Sequence, residues 1–228
     1  MSAADASPAA TVVVIRDGDG GEIEVLMVHR NSKHAFGGMW VFPGGKVDPE
    51  DIDPTAPDDD ALAARRAAVR EAREEAGIEL DPDRLVAISH WTPPPEAPRK
   101  FTTWFFVAEA PDIHDVAIDG DEIQDHAWLT PAETLRRADA LEVELAPPTW
   151  MTLFAMTHFT DVAAFLADAA ERVPGRFATR LGRAGEDPVA MWEGDAGYDD
   201  GDVERIGARH RLYMRRGGWR YDGGDTER

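Results

Sequence analysis

The sequence predicts an α/β protein, because short runs of β-branched and aromatic residues alternate with segments of helical composition. A short apolar strand that runs into a Gly-Gly pair at 44–45, and a long helix with regularly spaced small residues, support this class. The chain has 228 residues, enough for one large domain with an appendage. Since no linker of obvious composition interrupts it, we expect 1–228 to form a single domain on which a C-terminal extension, about 160–228, is packed.

The first part of the chain predicts a β-hairpin followed by a third strand. Residues 11–15 and 23–28 are β-rich and flank an Asp-Gly-Asp-Gly-Gly stretch at 17–21. That stretch lacks the rest of a calcium-loop pattern, so we interpret it as a turn. Residues 39–42 form the third strand, which leads into a Gly-Gly turn where the backbone can approach another group closely.

A long helix is predicted over residues 61–76, behind an acidic and proline-rich stretch. Residues 48–60 are dense in Asp, Pro and Glu, which predicts a solvated excursion without regular structure. Asp59 or Asp60 could cap the helix that follows. Small residues recur at spacings of three and four, which lets a helix pack closely on a sheet. Gly77 is a typical residue to end it.

The rest of the chain continues the alternation of strands and helices. Thr130 with Glu133, and Asp161, mark two helix starts. A proline-rich loop at 93–100 carries two cations, and the acidic stretch 195–202 is interpreted as a solvated loop. The predicted strands are 85–91, 101–108, 122–129, 189–192, 210–214 and 219–221, and the predicted helices are 131–138, 150–158 and 162–172.

Charge and composition restrict the class of partner. The net charge is −20, which argues against binding nucleic acid or an anionic membrane, since either would need a basic surface. The chain contains no cysteine, which rules out disulfides, thiol catalysis and cysteine-ligated metal centres. No basic segment precedes the apolar run 12–15, which is itself too short for a signal peptide or a membrane span. We therefore expect a cytoplasmic protein.

Three glutamates near the end of the long helix allow two interpretations. Glu71, Glu74 and Glu75 are spaced i, i+3 and i+4, so they share one helix face. Carboxylates crowded in this way favour a hard divalent cation such as Mg²⁺. They could equally form a solvated face on which Arg66, Arg70 and Glu74 pair with one another. The Gly-Gly pair upstream favours the first interpretation.

Together, these segments resemble the Nudix signature, Gly-x5-Glu-x7-Arg-Glu-U-x-Glu-Glu-x-Gly-U, where U is usually aliphatic. Ala72 and Ile78 take the two U places, and the first half begins at Gly45 and has Asp51 where the family has Glu. Eighteen residues separate Asp51 from the arginine, where the signature has seven, so the box contains an insertion. The remaining fixed places are occupied by Arg70, Glu71, Glu74, Glu75 and Gly77.

A narrower resemblance is to the Nudix branch with an interrupted box, which includes coenzyme A diphosphatases. Its motifs are similar to residues 30–36, 41–45, 101–106 and 145–150. The resemblance implies an α/β/α sandwich with a mixed central sheet. It also implies metal-dependent hydrolysis of a nucleoside diphosphate linked to another group, with coenzyme A or its thioesters as candidates. The alternatives are an ADP-ribose or dinucleotide pyrophosphatase, or a Nudix-like domain that binds a ligand without turnover.

The resemblance also implies a role for individual residues. Members need Mg²⁺ or Mn²⁺, which Glu71, Glu74 and Glu75 would bind with help from the backbone of Gly45. Arg70 would hold the helix carboxylates by ion pairs. A further catalytic carboxylate comes from a later loop, where Asp121 and Glu122 are candidates and Glu122 is the one we choose.

We predict substrate contacts from the cations and aromatic residues that lie near these motifs. Four cations could bind phosphates, and three aromatic residues could stack on a base, although solvated cations and core aromatics would explain each of them equally well. The substrate would be a small nucleoside diphosphate derivative, and a homodimer is left open. The cations are Arg30, Lys33, Arg99 and Lys100, and the aromatic residues are Phe36, Trp91 and Trp104.

Overall fold

A mixed β-sheet forms the centre of the protein. The computed structural model describes residues 6–31, 36–98, 100–111 and 116–224, and within these ranges eight strands form one sheet. Strands β1 and β6, and likewise β5 and β8, are parallel, whereas the other pairs are antiparallel. The order is β3-β2-β1-β6-β5-β8, with β4 paired to β1 and β7 to β2. The strands are β1 (Ser7–Asp17), β2 (Ile23–Arg30), β3 (Trp40–Val41), β4 (Gly44–Lys46), β5 (Val86–Thr92), β6 (Phe101–Glu109), β7 (Ile123–Leu129) and β8 (Gly175–Ala178).

Local capping signals set the bounds of the helices. Asp59 Oδ1 accepts a hydrogen bond from the backbone N–H of Leu62 at 2.9 Å, and Gly77 ends the first helix with a φ of 67°. Thr130 and Asp161 cap later helices in the same way. The helices are α1 (Asp60–Ala76), α2 (Pro131–Asp139), α3 (Pro147–Met156) and α4 (Val162–Glu171). Each helix predicted from the sequence is therefore present, with ends that differ from the prediction by at most three residues.

Helices cover both faces of the sheet, which confirms the predicted α/β/α sandwich. On one face, the alanines of α1 pack on alternate residues of β1 such as Val12 and Val14, and these side chains are fully buried. On the other face, α3 and α4 pack on Val13 and Ile15 from the same strand. The small alanine side chains bring the backbone of α1 close to the sheet, which places the glutamates of this helix near β4.

The C-terminal part adds a second, smaller sheet. Strand β8 extends the main sheet beside β5, and within the described residues four further strands form an antiparallel sheet in the order β12-β11-β10-β9. These strands are β9 (Arg180–Ala184), β10 (Asp187–Met191), β11 (Arg211–Arg215) and β12 (Gly218–Asp222). The rings of Trp91 and Phe177 stack at 4.0 Å between centroids and join β5 to β8. That 1–228 is a single domain stays a prediction.

One acidic loop of the extension differs from its prediction. Asp195 was expected in a solvated loop, but its side chain is fully buried and forms a two-point ion pair with the buried Arg211, with Arg211 Nε at 2.6 Å from Asp195 Oδ2. The backbone N–H groups of Gly197 and His210 also donate to this carboxylate. A buried carboxylate needs all of these partners. Because Arg211 is the first residue of β11, the ion pair holds the loop that contains Asp195 against that strand.

No helix in the described part of the chain is long and apolar enough to cross a membrane.

Candidate active site

Two glycines let the sheet approach helix α1 closely. Gly44 and Gly45 lie in β4, where Gly45 is paired with Ala10 of β1. A Cβ atom on Gly45 would lie 2.2 Å from Glu71 Oε1, and a Cβ atom on Gly44 would lie 2.4 Å from the Ala10 carbonyl oxygen. The prediction of a Gly-Gly turn is therefore wrong, because both residues belong to a strand. The close approach expected of them is present, and only glycine allows it.

Glu75 is the most buried of the three helix glutamates. Its side chain is 3% exposed, against 14% for Glu71 and 52% for Glu74. The Gly44 N–H donates to Glu75 Oε2 at 2.9 Å, and Arg30 Nη1 donates to Glu75 Oε1 at 2.8 Å. Burial raises the pKa of Glu75 to about 7, although the Arg30 charge and the Gly44 N–H both oppose this effect. A cation near this carboxylate would favour its charged form.

Arg30 links the helix to the loop that precedes β7. Its Nη2 donates to Glu122 Oε2 at 2.6 Å, and its Nη1 donates to the Gly44 carbonyl oxygen at 2.9 Å as well as to Glu75. The guanidinium therefore holds Glu122, which is 92 residues away in the chain, beside Glu75. Arg30 was predicted to contact substrate phosphates, and that role stays a prediction.

Arg70 makes a second cluster of ion pairs beside helix α1. Its Nη1 lies 3.0 Å from both Glu71 Oε1 and Glu74 Oε2. Its Nη2 donates to the Lys46 carbonyl oxygen and to Asp51 Oδ2, each at 2.9 Å. The Arg70 guanidinium thus connects strand β4, the insertion and two of the three helix glutamates.

Asp51 corrects the interpretation of residues 48–60 as a solvated excursion. Asp51 is 4% exposed and ends a 3-10 turn, Pro49–Asp51. Besides the Arg70 contacts, its Oδ2 accepts a hydrogen bond from the Asp48 N–H at 2.8 Å. The carboxylate is buried because a guanidinium and a backbone N–H satisfy it. Asp51 therefore contacts Arg70 although the insertion separates them in the sequence. The residues between Asp51 and the start of α1 form a loop at the surface.

The three helix glutamates are held by arginines rather than arranged around a common point. Within the described ranges, no group of three or more His, Cys, Asp or Glu side chains is arranged so that it could hold a metal ion. Glu71 and Glu74 share Arg70 instead, while Glu75 is bound to Arg30. Burial raises the pKa of Glu71, an effect that the Arg70 charge opposes. The carboxylate chemistry fits a hard cation, and binding one would move the glutamates off their arginines.

These groups line a cavity of about 820 Å³. Its lining combines the carboxylates of Glu71, Glu74 and Glu122 with the cations of Arg30, Lys46, Arg70 and Lys100. The cavity therefore presents carboxylates, which would need a metal ion to accept phosphate, together with cations that can bind phosphate directly. Its volume is within the range of small-molecule sites in proteins.

Only some of the residues predicted to contact substrate line the cavity. Phe36 and Lys100 line the cavity, and Lys33 and Arg99 lie outside the described residues. Trp91 packs instead in the core against Phe177.

Three residues take places that the sequence did not predict. Trp104, a predicted stacking residue, contacts His90 at 4.7 Å between ring centroids. Lys46 and Phe101 were not predicted to contact substrate, yet both line the cavity. The position of Lys46 directly after Gly45 could have indicated the first of them, whereas nothing local in the sequence distinguishes Phe101 from its neighbours.

Comparisons with known proteins agree with this architecture. The profile of the NUDIX domain family matches residues 6–147. The CTP pyrophosphohydrolase of Escherichia coli (strain K12) is 31% identical over 135 residues, which cover 59% of this chain and 79% of that protein. A NUDIX hydrolase from Alicyclobacillus acidocaldarius superposes with a TM-score of 0.64 at 27% identity, covering 72% of this chain and 96% of that one.

The chain therefore belongs to the Nudix family, as the signature indicated. Its assignment as a Nudix hydrolase acting on pyrophosphate bonds rests on this membership and on the pyrophosphohydrolase relative. The match to the family profile ends at residue 147, so α4, β8 and the second sheet lie beyond it.

Proposed function

We propose that this protein is a divalent-metal-dependent hydrolase that cleaves the diphosphate bond of a nucleoside diphosphate linked to another group. Coenzyme A and its thioesters are the first candidates. The single observation that carries the proposal is one cavity lined both by Glu71, Glu74 and Glu122 and by Lys46 and Lys100. A diphosphate bound in this cavity would have its charge neutralised by the two lysines and by a metal ion held on the glutamates.

Mg²⁺ or Mn²⁺ would be held by Glu71, Glu74 and Glu75, with the backbone of Gly45 beside them. When bound, the metal supplies positive charge to the phosphoryl oxygens and lowers the pKa of a coordinated water. Arg70 positions Glu71 and Glu74, because its Nη1 contacts both of them at 3.0 Å. Of these residues, Gly45, Arg70, Glu71 and Glu74 line the cavity, where water would attack phosphorus.

Glu122 is the residue that we propose as the general base. Arg30 fixes its carboxylate beside Glu75, and its side chain is 42% exposed, so water can reach it. A carboxylate in this place can accept a proton from the attacking water. Lys46 and Lys100 would bind the phosphate oxygens that face away from the helix.

A nucleoside triphosphate is a second candidate, because the relative from Escherichia coli is named a CTP pyrophosphohydrolase. The cavity contacts that we describe would bind the phosphates of a nucleoside triphosphate as well as those of a nucleoside diphosphate derivative.

A substrate panel with Mg²⁺ or Mn²⁺ tests the proposal. It compares coenzyme A and its thioesters with ADP-ribose, NADH, diadenosine polyphosphates and nucleoside triphosphates that include CTP. Release of 3′,5′-ADP from coenzyme A would support the proposal that coenzyme A is the substrate. Activity that persists in EDTA would contradict the metal dependence. Activity on triphosphates alone would overturn the proposed substrate class, and hydrolysis of nothing in the panel would overturn the activity.

Cytoplasmic location and the absence of nucleic-acid or membrane partners stay predictions, and a homodimer stays open. Size-exclusion chromatography with light scattering would determine the oligomeric state.

A further inference from the structure

A second cavity lies on the face of the main sheet that α3 and α4 cover. Its volume is about 280 Å³, and residues of α3, α4, β5 and β8 line it. Among the described residues, it shares no lining residue with the cavity of the candidate active site. Helix α4 and strand β8 belong to the C-terminal extension, so the extension builds much of the wall of this second cavity.

Most of the wall of the second cavity is apolar. Trp91 of β5, Met151 of α3 and Phe165 of α4 line it and are each at most 9% exposed. Phe177 of β8 also lines it and stacks on Trp91. Val173, which follows α4, lines it too, yet is 90% exposed. An apolar group bound here would remove the Val173 side chain from water, which is favourable.

A β-bulge in β5 places a hydroxyl group in this apolar wall. Ala87 and Ser89 pair with consecutive residues of β6, so Ile88 is the extra residue of the bulge. Neighbouring residues of a regular strand face opposite sides of the sheet. Here Ile88 packs in the core on the α3–α4 side, and Ser89 Oγ accepts a hydrogen bond at 2.9 Å from the Trp91 indole, which is on that same side. Bulges that re-aim a side chain are frequent beside functional sites.

The Ser89 hydroxyl retains a hydrogen-bond donor. Ser89 lines the cavity and is only 6% exposed. A serine hydroxyl can donate one hydrogen bond and accept two, and the bond from Trp91 uses an acceptor position. Within the ranges that the structure describes, this hydroxyl donates to no other group. Because a buried donor without an acceptor costs free energy, an acceptor on a bound compound would be favourable.

The charges that line the second cavity neutralise each other. Asp168 and Arg172 are the charged residues of its described lining, and Arg172 Nη2 lies 2.8 Å from Asp168 Oδ1. A charged ligand would lose its hydration against the apolar wall without gaining a free counter-charge. The electrostatics therefore favour an uncharged compound.

We propose that the second cavity binds a small uncharged compound in which an apolar ring or branched chain carries a carbonyl group. The apolar part contacts Trp91, Phe165 and Val173, and the carbonyl oxygen accepts a hydrogen bond from Ser89. A cavity of about 150 Å³ is enough to hold benzene. The 280 Å³ of this cavity therefore accommodates a ring with a short acyl substituent. The site is independent of the proposed hydrolysis.

Titrations with two probes of the same shape test the proposal. Acetophenone carries a carbonyl oxygen, whereas isopropenylbenzene has a CH₂ group in its place. The methyl NMR signals of Ile88 and Met151, which line the cavity, report binding. We expect both probes to shift these signals in the wild-type protein. The titrations contain no diphosphate, so their outcome does not depend on whether the proposed function is correct.

Ser89→Ala separates the hydrogen bond from the apolar contacts. We expect this variant to raise the Kd for acetophenone about 3- to 10-fold relative to the Kd for isopropenylbenzene. The substitution also removes the acceptor of the Trp91 indole, but any resulting change in the wall affects both probes. The ratio of the two Kd values is therefore the measurement that reports the hydroxyl.

Ala169→Leu fills the cavity from α4, and Ala167→Leu is the matched control at an exposed position of the same helix that does not line it. Ala169→Leu should abolish the shifts caused by both probes, while Ala167→Leu should bind them as wild type does. If circular dichroism shows that Ala169→Leu does not fold, the Kd ratio in Ser89→Ala decides. Absence of binding in wild type, an unchanged ratio in Ser89→Ala, or binding retained in folded Ala169→Leu would overturn the site.

Discussion

Removal of the Asp51 carboxylate should destabilise the protein far more than its place in an acidic surface loop suggests. Asp51 Oδ2 lies 2.9 Å from Arg70 Nη2, and both side chains are largely buried, at 5% and 13% exposed. Loss of one partner of a buried ion pair costs about 3–5 kcal/mol of unfolding free energy. Arg70 keeps Glu71, Glu74 and a backbone carbonyl as partners. We therefore expect the lower end, about 3 kcal/mol, for Asp51→Ala.

Asp53→Ala is the control for this prediction. Asp53 lies two residues further along the same insertion and pairs with Arg66, one turn earlier on α1, but that arginine side chain is 40% exposed. Solvent screens such a pair, so its loss should have a much smaller effect. Urea unfolding followed by circular dichroism would give the midpoint and the slope for each variant. Equal losses in Asp51→Ala and Asp53→Ala would refute the argument from burial.

The remaining predictions concern the extension and the glycine strand. Asp195→Ala should lower the unfolding free energy by about 3–5 kcal/mol in urea, because it leaves Arg211 buried without its carboxylate; a loss below about 1 kcal/mol would contradict the buried pair. Burial acts to raise the pKa of Asp195, but the Arg211 guanidinium and two backbone N–H groups outweigh it and lower the pKa overall. The stabilisation is therefore full above the unfolded pKa of about 3.9 and is lost as pH falls through the lower folded value. Urea midpoints measured down the acid range should consequently fall more steeply for wild type than for Asp195→Asn, and parallel profiles would contradict this. Gly45→Ala should keep the urea midpoint near wild type yet reduce turnover, because its Cβ displaces only the flexible end of Glu71. Gly44→Ala should lower the midpoint, since its Cβ meets the backbone of β1; the reverse ranking of the two midpoints would contradict the assignment.

Helix α1 was predictable because its signals are local. Asp59 accepts from the N–H of Leu62 three residues later, and Gly77 adopts the left-handed conformation that ends a helix. The alanine spacing then fixed which face meets the sheet. By contrast, β8 and β9 were missed. They are four and five residues long and contain the exposed arginines Arg176, Arg180 and Arg183, so their strand character comes from partners elsewhere in the fold.

Buried charges show where the sequence alone is insufficient. Asp51 and Asp195 lie in acidic stretches whose composition predicts solvation, but each is paired with an arginine 19 or 16 residues away. A carboxylate reveals its burial only when the fold brings that partner to it. The same holds for Arg30, whose partner Glu122 is 92 residues distant.

The candidate site was predictable in its helical half and not in its cavity. The spacing of Glu71, Glu74 and Glu75 indicated one face of a helix, and the structure places these residues beside β4. Phe101 and Lys46 become neighbours because β1 pairs with both β6 and β4. Nothing in the local sequence of β4 or β6 predicts that pairing.

Metal-dependent turnover in single glutamate variants tests the central claim most directly. Glu74→Gln and Glu75→Gln remove one carboxylate charge each and nearly preserve side-chain shape, and Glu79→Gln, an exposed position just beyond α1, is the control. Activity on the best substrate of the panel would be measured across a Mg²⁺ titration, with circular dichroism as the check on folding. We predict that Glu74→Gln and Glu75→Gln fold but lose metal-dependent turnover, while Glu79→Gln retains it. Wild-type turnover in both site variants would contradict the assignment of these glutamates as the metal-binding residues.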